Sequence, residues 1–188
     1  MERIILASAS PRRHQLLSWA EIPYDVLVRE TEENFPPTLP VADVPVYIAR
    51  NKAIAVQQEL THTPVVLAAD TVVVLGNEII GKPKSREEAI QTLQKLSGCT
   101  HRVITGVVMR KGEKEIAFSD ITEVQFHPLT LSQITFYVDH YQPYDKAGAY
   151  AIQEWIGVVG IKSVNGDFYN VMGLPVSRVV QLLSEFSS

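Results

Sequence analysis

A nearly continuous apolar run, VVLAADTVVVL at residues 65–75, constrains the fold more than any other stretch of the chain. It is rich in β-branched residues and is typical of a strand buried on both faces. Shorter strand-like segments and amphipathic helices precede and follow it. Because helices alternate with both crossover and hairpin strands, we expect an α/β fold with a mixed, mostly extended central sheet flanked by helices.

Periodicity and turn residues predict the individual elements. Asn165-Gly166 is a strong hairpin signal that should join strands at residues 158–163 and 167–171. The first helix should begin at Pro11. The other strands are expected at residues 4–7, 24–28, 78–80, 101–110 and 116–126, and the other helices at residues 44–60, 85–97, 131–140 and 175–186.

Composition is that of an ordinary packed protein. The 188 residues suit a single domain over residues 1–188, or two small lobes around one sheet. A formal net charge of −4 gives no general attraction to nucleic acid, so any phosphate binding must be local. Cys99 is the only cysteine, which favours a reducing compartment. No stretch approaches the ~18 apolar residues of a membrane span and the N-terminal run is too short for a signal peptide, so a cytoplasmic location is expected.

The segment LASASPRRHQLL, residues 6–17, gives the first helix an unusual start. Ser10 suits the N-cap and Pro11 the first helical position. Arg12 and Arg13 then place cations where the helix dipole disfavours them by up to ~1 kcal/mol each. Something in the structure must compensate for these two charges.

Two other predicted helix starts, residues 85–88 and 130–133, are capping boxes with an acid or amide three positions after the cap. The helix that starts at Ser10 has Arg13 at that position instead. Two guanidinium groups, free N–H groups and the helix dipole predict an anion site for a polyphosphate, with the Ser8 and Ser10 hydroxyls beside it. The alternative is that both arginines extend into solvent.

Asp70 interrupts the apolar run of the central strand. An unpaired carboxylate buried there would cost several kcal/mol, so it needs a partner, a metal or an opening onto a cleft. Lys52 lies on the apolar stripe of the helix at residues 44–60, where a lysine either extends to the rim or serves a charged site. The alternative for Asp70 is a structural ion pair or hydrogen bond.

Other polar residues also suit phosphate chemistry. Lys82 lies in a turn and Glu33 in a Pro-rich loop, although each could be an ordinary exposed charge. In YDKAGAYAIQ, residues 144–153, small residues allow a ligand close to the backbone, while Lys146 and Gln153 offer directional contacts. The alternative here is a tight loop with core tyrosines.

One apparent motif is rejected. GNEIIGK, residues 76–82, has the spacing of a phosphate-binding P-loop, but Pro83 replaces the required Ser or Thr, so the Mg²⁺ ligand is missing. The five histidines have no metal-ligand spacing.

The segments LASASPRRHQLL, ARNKA, AADTVVV, GKP and YDKAGAYAIQ, with an acidic pair before the Pro-rich loop, follow one another between residues 6 and 153. This combination resembles the Maf family of nucleoside triphosphate pyrophosphatases. KAGAYAIQ is similar to the version found in the subfamily that acts on dTTP and UTP. The resemblance implies two lobes with an active-site cleft between them, and a homodimer.

The implied reaction is hydrolysis of dTTP, UTP and modified pyrimidine triphosphates between the α and β phosphates, which gives a monophosphate and pyrophosphate. The implied cofactor is a divalent cation, Mg²⁺ or Mn²⁺, and one implied role is the clearing of non-standard nucleotides from the pool. Asp70 is then the proton acceptor or, with Glu33, a metal ligand, and Lys52 and Lys82 are catalytic. The substrate-binding residues are Ser8, Ser10, Arg12, Arg13, Thr71, Lys146 and Gln153, with Arg12, Thr71 and Gln153 as specificity positions.

Two other function classes compete with the enzyme. A regulator of cell division or septum formation could bind nucleotides and act through partners without turnover, which would keep the anion site but would not need Asp70. A nucleic-acid-binding module is disfavoured by the acidic charge balance and the absence of a basic stripe with aromatics.

Overall fold

The computed structural model describes residues 2–186. Among these residues, no helix is both long enough and apolar enough to span a bilayer. Short 3-10 turns lie at Ala147–Ala149 and Ser184–Phe186. The strands are β1 (Ile4–Leu6), β2 (Tyr24–Val26), β3 (Val66–Leu75), β4 (Glu78–Ile80), β5 (Thr100–Lys111), β6 (Lys114–Phe126) and β7 (Ile161–Asn165), and the helices are α1 (Pro11–Trp19), α2 (Val44–Gln57), α3 (Arg86–Leu96), α4 (Leu131–Tyr141), α5 (Trp155–Gly160), α6 (Phe168–Met172) and α7 (Val176–Leu183).

The seven strands found within residues 2–186 form one sheet in the order β2-β1-β3-β5-β6-β7, with β4 paired to β3. β1 is parallel to β2 and β3, whereas the β3–β4 and β6–β7 pairs are antiparallel. This mixed α/β sheet confirms the predicted fold class. β3 is buried along most of its length, but Asp70 and Thr71 at its centre are only half-buried.

Contacts between residues divide the chain into two compact units. One of the boundaries between the units falls within β3, between Asp70 and Thr71. The single domain predicted for residues 1–188 stays a prediction. The first unit contains the residues up to 70, residues 105–120 and the residues from 173 onward, and the second unit contains residues 71–104 and 121–172.

The first unit is built around the apolar face of α2. A side chain the size of valine contributes roughly 1.5–3 kcal/mol when it is buried in such a core. The start of α2 passes so close to β5 that a Cβ on Gly106 would lie 2.2 Å from the backbone nitrogen of Val46. Only glycine permits this approach. The buried residues of this core are Ile5, Ala7, Ala49, Ala53, Val56, Val66, Ala68 and Val108.

In the second unit, α3 and α4 begin as the sequence predicts. The Thr130 capping box is complete, with the Gln133 side chain returning to the backbone of Thr130. Ser85 Oγ accepts the N–H of Glu88 at 3.2 Å. The Glu88 carboxylate, however, accepts the N–H of Lys84 at 2.9 Å, one residue before the expected partner.

The hairpin predicted around Asn165-Gly166 is wrong. β7 ends at Asn165, but the next element is helix α6, and residues 158–160 belong to helix α5. Asp167 explains the difference, because its Oδ1 accepts the N–H groups of Tyr169 at 2.7 Å and Asn170 at 3.2 Å. A side chain that satisfies the first free N–H groups of a helix favours the helix over a returning strand.

Candidate active site

The centre of β3 belongs to an ion-pair cluster of the first unit. Lys52 Nζ lies 2.8 Å from Asp70 Oδ1 and 2.9 Å from Glu33 Oε1. The Asp70 and Lys52 side chains are 16% and 19% exposed, whereas that of Glu33 is 57% exposed. Of the possibilities expected for Asp70, the structure shows an ion pair, and the partner is a lysine shared with a second carboxylate; a catalytic role for Asp70 stays a prediction.

The periodicity of α2 explains how Lys52 reaches this position. Ala49, Ala53 and Val56 on the same helix are fully buried, so the lysine stem starts from the packed face of α2. The amine ends in a charged cluster rather than at the rim. Because the Lys52 side chain is only 19% exposed, loss of both carboxylates would leave its amine as an uncompensated, partly desolvated charge.

Arg13 holds the turn that precedes α1. Its side chain is buried, and it donates from Nη1 to Ser8 Oγ at 3.0 Å and from Nε to the Gly173 carbonyl at 2.8 Å. Burial lowers the pKa of Arg13 to about 10, although the charge of Asp70 opposes this shift. The guanidinium is therefore charged at neutral pH and contributes a fixed positive charge to the first unit.

The first turn of α1 is open to an anion. Ser10 is the N-cap residue, but its side chain accepts no N–H of the helix, and the first turn contains no acidic residue. The Ser10 N–H instead donates to Ser8 Oγ at 3.3 Å. Arg12 is half-exposed while Arg13 is buried, so the alternative of two solvent-exposed arginines does not hold for Arg13. A free helix N-terminus with an adjacent cation suits a phosphate group.

In the second unit, the two predicted binding loops adjoin each other. The Gly148 N–H donates to the Gly81 carbonyl at 3.2 Å, which places the loop of Lys82 against the segment that follows Lys146. Gly148 has φ +73° and packs on Val73, so this contact needs glycine.

The remaining predicted side chains differ in their surroundings. Lys146 Nζ lies 2.8 Å from Asp145 Oδ1 and 3.7 Å from Glu154 Oε1, and the Lys146 side chain is only 13% exposed. Lys82 and Gln153 are exposed, and Thr71 is half-buried in β3.

The predicted site residues thus fall into two groups. Ser8, Ser10, Arg12, Arg13, Glu33, Lys52 and Asp70 belong to the first unit, and Thr71, Lys82, Lys146 and Gln153 belong to the second.

Some contacts of these residues carry no signal in the local sequence. The Gly173 carbonyl that binds Arg13 lies 160 positions away along the chain. Tyr137, which contacts the segment before Gln153, is one of seven tyrosines and belongs to an ordinary amphipathic helix. Only the folded chain reveals these partners.

The carboxylates present fit a divalent cation that takes its remaining oxygen ligands from a bound molecule or from water. No group of three or more His, Cys, Asp or Glu side chains within residues 2–186 could hold a metal by itself. Asp70 and Glu33, however, offer two carboxylates that share one ammonium partner. Magnesium is usually bound by one or two carboxylates together with substrate phosphates and water, which matches this donor set.

The sequence model of the family described as Maf-like protein matches residues 3–186. The chain belongs to the Maf-like family. A protein of Cytophaga hutchinsonii named dTTP/UTP pyrophosphatase is 50% identical to this Maf-like protein over 182 residues, which cover 97% of this chain and 83% of that protein. A protein of the same name from Parabacteroides distasonis is 44% identical over 98% of this chain and 96% of its own length.

The fold also has a counterpart among solved structures. The structure of a HAM1 protein from Coxiella burnetii aligns with a TM-score of 0.52, covers 98% of this Maf-like chain and 100% of its own, and is 15% identical. At this identity the likeness concerns the fold alone.

Proposed function

We propose that this Maf-like protein hydrolyses dTTP and UTP to the nucleoside monophosphate and pyrophosphate. The observation that carries the proposal is the half-buried Asp70 carboxylate at the centre of β3, held by Lys52. Relatives named dTTP/UTP pyrophosphatase, up to 50% identical over nearly the whole chain, support the substrate class.

In the proposed reaction, a water oxygen bonds to the α-phosphorus, and the bond from that phosphorus to the α–β bridging oxygen breaks. Pyrophosphate leaves with the bridging oxygen, and Asp70 accepts a proton from the water. Lys52, which is already next to Asp70, offsets the negative charge that develops on the phosphate. Lys82 is assigned the same electrostatic role.

Binding is assigned to the two groups of residues described above. In the first unit, the open turn of α1 and Arg12 bind the phosphates, while Ser8 and Arg13 keep that turn in place. In the second unit, Lys146 binds the nucleotide and Thr71 and Gln153 select it, because the Gln153 amide can both donate to and accept from a pyrimidine edge.

A divalent cation, Mg²⁺ or Mn²⁺, would be held by Asp70 and Glu33 together with substrate oxygens. When bound, it neutralises phosphate charge and makes the phosphorus easier to attack. The homodimer, the cytoplasmic location and the absence of nucleic-acid binding stay predictions.

Product analysis of wild type and Asp70→Asn tests the proposal, with UTP, dTTP, other standard triphosphates and modified pyrimidine triphosphates as substrates and Mg²⁺ or Mn²⁺ in the buffer. We expect pyrophosphate and monophosphate from UTP or dTTP, and a decrease in kcat of about 10²–10⁴-fold in Asp70→Asn. Asp139→Asn is the matched control, because Asp139 is an exposed carboxylate paired with Arg86.

Binding measurements separate the two function classes. Wild-type protein that binds UTP but releases no pyrophosphate with either metal would exclude the enzyme. That result would favour a nucleotide-binding regulator of cell division.

A further inference from the structure

A single buried hydroxyl group contacts the chain on both sides of Gln153. Tyr137 lies on α4 with its side chain fully buried. Its Oη accepts the N–H of Ala151 at 3.0 Å and donates to Glu154 Oε2. Ala151 precedes Gln153 by two residues and Glu154 follows it directly. The hydroxyl therefore holds the backbone at Ala151 and the side chain of Glu154, on either side of the exposed Gln153.

Glu154 also connects Tyr137 to Lys146, which lies eight residues earlier in the chain. Its second oxygen, Oε1, lies 3.7 Å from Lys146 Nζ. Both side chains are largely removed from solvent, at 23% exposure for Glu154 and 13% for Lys146. Tyr137, Glu154 and Lys146 thus form a chain of polar contacts that closes the segment from Lys146 to Glu154.

The anchor of this network is rigid. Ile134 and Val138 are buried on α4 with Tyr137, and α4 packs against α3. The Tyr137 ring also stacks on Tyr141 at a centroid distance of 5.0 Å. Because Tyr137 lies on a packed helix, its hydroxyl has a fixed position, and that position determines where Ala151 and Glu154 lie.

The position of Gln153 matters because its side chain is long and flexible. A glutamine amide offers a donor and an acceptor, and by turning over it can match cytosine as well as uracil or thymine. Discrimination between bases therefore requires the amide to reach the base edge at a fixed place and angle, and the Gln153 backbone sets the place that the amide can reach. Tyr137 holds the backbone two residues before Gln153 through an uncharged hydroxyl.

We infer that Tyr137 is a positioning residue for base selection, which acts by fixing Gln153 through Ala151 and Glu154. This inference rests on the proposed function, because that proposal assigns Gln153 to the pyrimidine.

Tyr137→Phe tests the inference, because it removes the hydroxyl and keeps the ring. We expect the preference for UTP over CTP, measured as the ratio of kcat/KM values, to fall about 10-fold, with kcat for UTP changed less than about 3-fold. The same preference is measured as the ratio of dissociation constants for the α,β-methylene analogues of UTP and CTP. An unchanged ratio in both assays would overturn the inference.

Tyr150→Phe is the matched control. Tyr150 is also a buried tyrosine, and its hydroxyl contacts His101 Nε2 at 2.6 Å. We expect this variant to lose stability but keep the UTP preference. An equal loss of preference in both variants would mean that any lost buried hydroxyl has this effect, and would overturn the specific role of Tyr137.

Two substitutions of Glu154 test the second contact. Glu154→Gln keeps an oxygen that can accept the Tyr137 hydroxyl and should retain most of the preference, whereas Glu154→Ala should lose it as Tyr137→Phe does. Equal preference in these two variants would contradict the network.

Failure of the proposed function has a different signature. Wild type that releases no pyrophosphate refutes the reaction, and the analogue-binding ratio of wild type and Tyr137→Phe then decides the inference by itself.

Discussion

The turn before α1 and the loop before α5 are each held by one buried polar side chain, but the two side chains differ in charge. In the first, the Arg13 guanidinium donates to the Ser8 hydroxyl and the Gly173 carbonyl. In the second, the neutral Tyr137 hydroxyl contacts Ala151 and Glu154. The charged Arg13 thus holds the turn to which we assign the phosphates, and the uncharged Tyr137 hydroxyl holds the loop to which we assign the base.

Burying the Arg13 guanidinium costs more free energy than burying the Tyr137 hydroxyl. Removing a guanidinium from water is unfavourable, and this burial lowers the pKa of Arg13 to about 10. The nearby carboxylates Asp70 and Glu33 offset part of that effect. A tyrosine hydroxyl needs only one or two hydrogen bonds to be buried at little cost.

The largest difference between the two regions should appear in the free energy of unfolding when Arg13 or Tyr137 loses its polar group. Arg13→Met should lower the free energy of unfolding by roughly 3 kcal/mol, because two charge-assisted hydrogen bonds are lost and the Gly173 carbonyl loses its donor. Tyr137→Phe should lower it by about 1 kcal/mol. Urea denaturation measures both values. Equal losses in the two variants would remove the distinction between a charged and a neutral anchor.

Acidic pH should lower the stability of the second unit through its buried histidine, His101. Burial lowers the pKa of His101, which contacts Tyr150, to about 4 from its ordinary value of 6.5. Between these values the unfolded chain binds a proton that the folded chain does not, so this contribution to stability is complete above pH 6.5 and is lost as the pH falls towards 4. The loss is roughly 3 kcal/mol, comparable to the loss expected for Arg13→Met.

Urea denaturation of wild type and His101→Gln at pH 7 and pH 4.5 isolates this contribution. The variant should lose less stability than wild type on acidification. Parallel losses would show that His101 is not the titrating group.

Helix caps offer a smaller test of whether the α1 turn is built for a ligand. Ser85→Ala should cost about 1 kcal/mol, because Ser85 Oγ accepts the N–H of Glu88. Ser10→Ala should cost only a few tenths of that, since the Ser10 side chain caps nothing, but it should weaken nucleotide binding. Thermal unfolding and UTP titration measure the two effects. A full capping loss in Ser10→Ala would identify Ser10 as an ordinary cap.

The smallest change in stability is expected for Arg12. Arg12→Gln removes an unfavourable cation from the first turn of α1, so the free energy of unfolding should rise by a few tenths of a kcal/mol, at most ~1. The KM for UTP should nevertheless increase, because Arg12 is assigned to the phosphates. A stable variant with unchanged KM would remove Arg12 from the binding site.

Several features of the site could be predicted from the sequence. The apolar pattern placed Asp70 at the centre of a buried strand and Lys52 on the packed face of a helix, and both positions are energetically improbable without a partner. The unusual charge after Ser10 likewise predicted an anion site at this helix start; the structure shows a first turn without a side-chain cap, and the anion site stays a prediction. The sequence was sufficient in these cases because a charged residue and the strand or helix pattern that makes it unfavourable lie within a few residues of each other.

Other features could not be predicted in this way. The choice of Glu33 as the second partner of Lys52 and of Gly173 as the partner of Arg13 depends on chain segments far apart in sequence. The strand predicted at residues 167–171 failed for a different reason, since the Asp167 side chain caps a helix and this outweighs the hairpin tendency of Asn165-Gly166.

The sequence by itself determined the α/β class, most element positions and which residues carry charges that burial would penalise, because periodicity, capping and desolvation act over short stretches of chain. Only the tertiary structure decided the partners: Lys52 for Asp70, Gly173 for Arg13, and Ala151 and Glu154 for Tyr137. A buried polar group must find a partner somewhere, but which partner it finds depends on how the sheet and helices bring distant segments together.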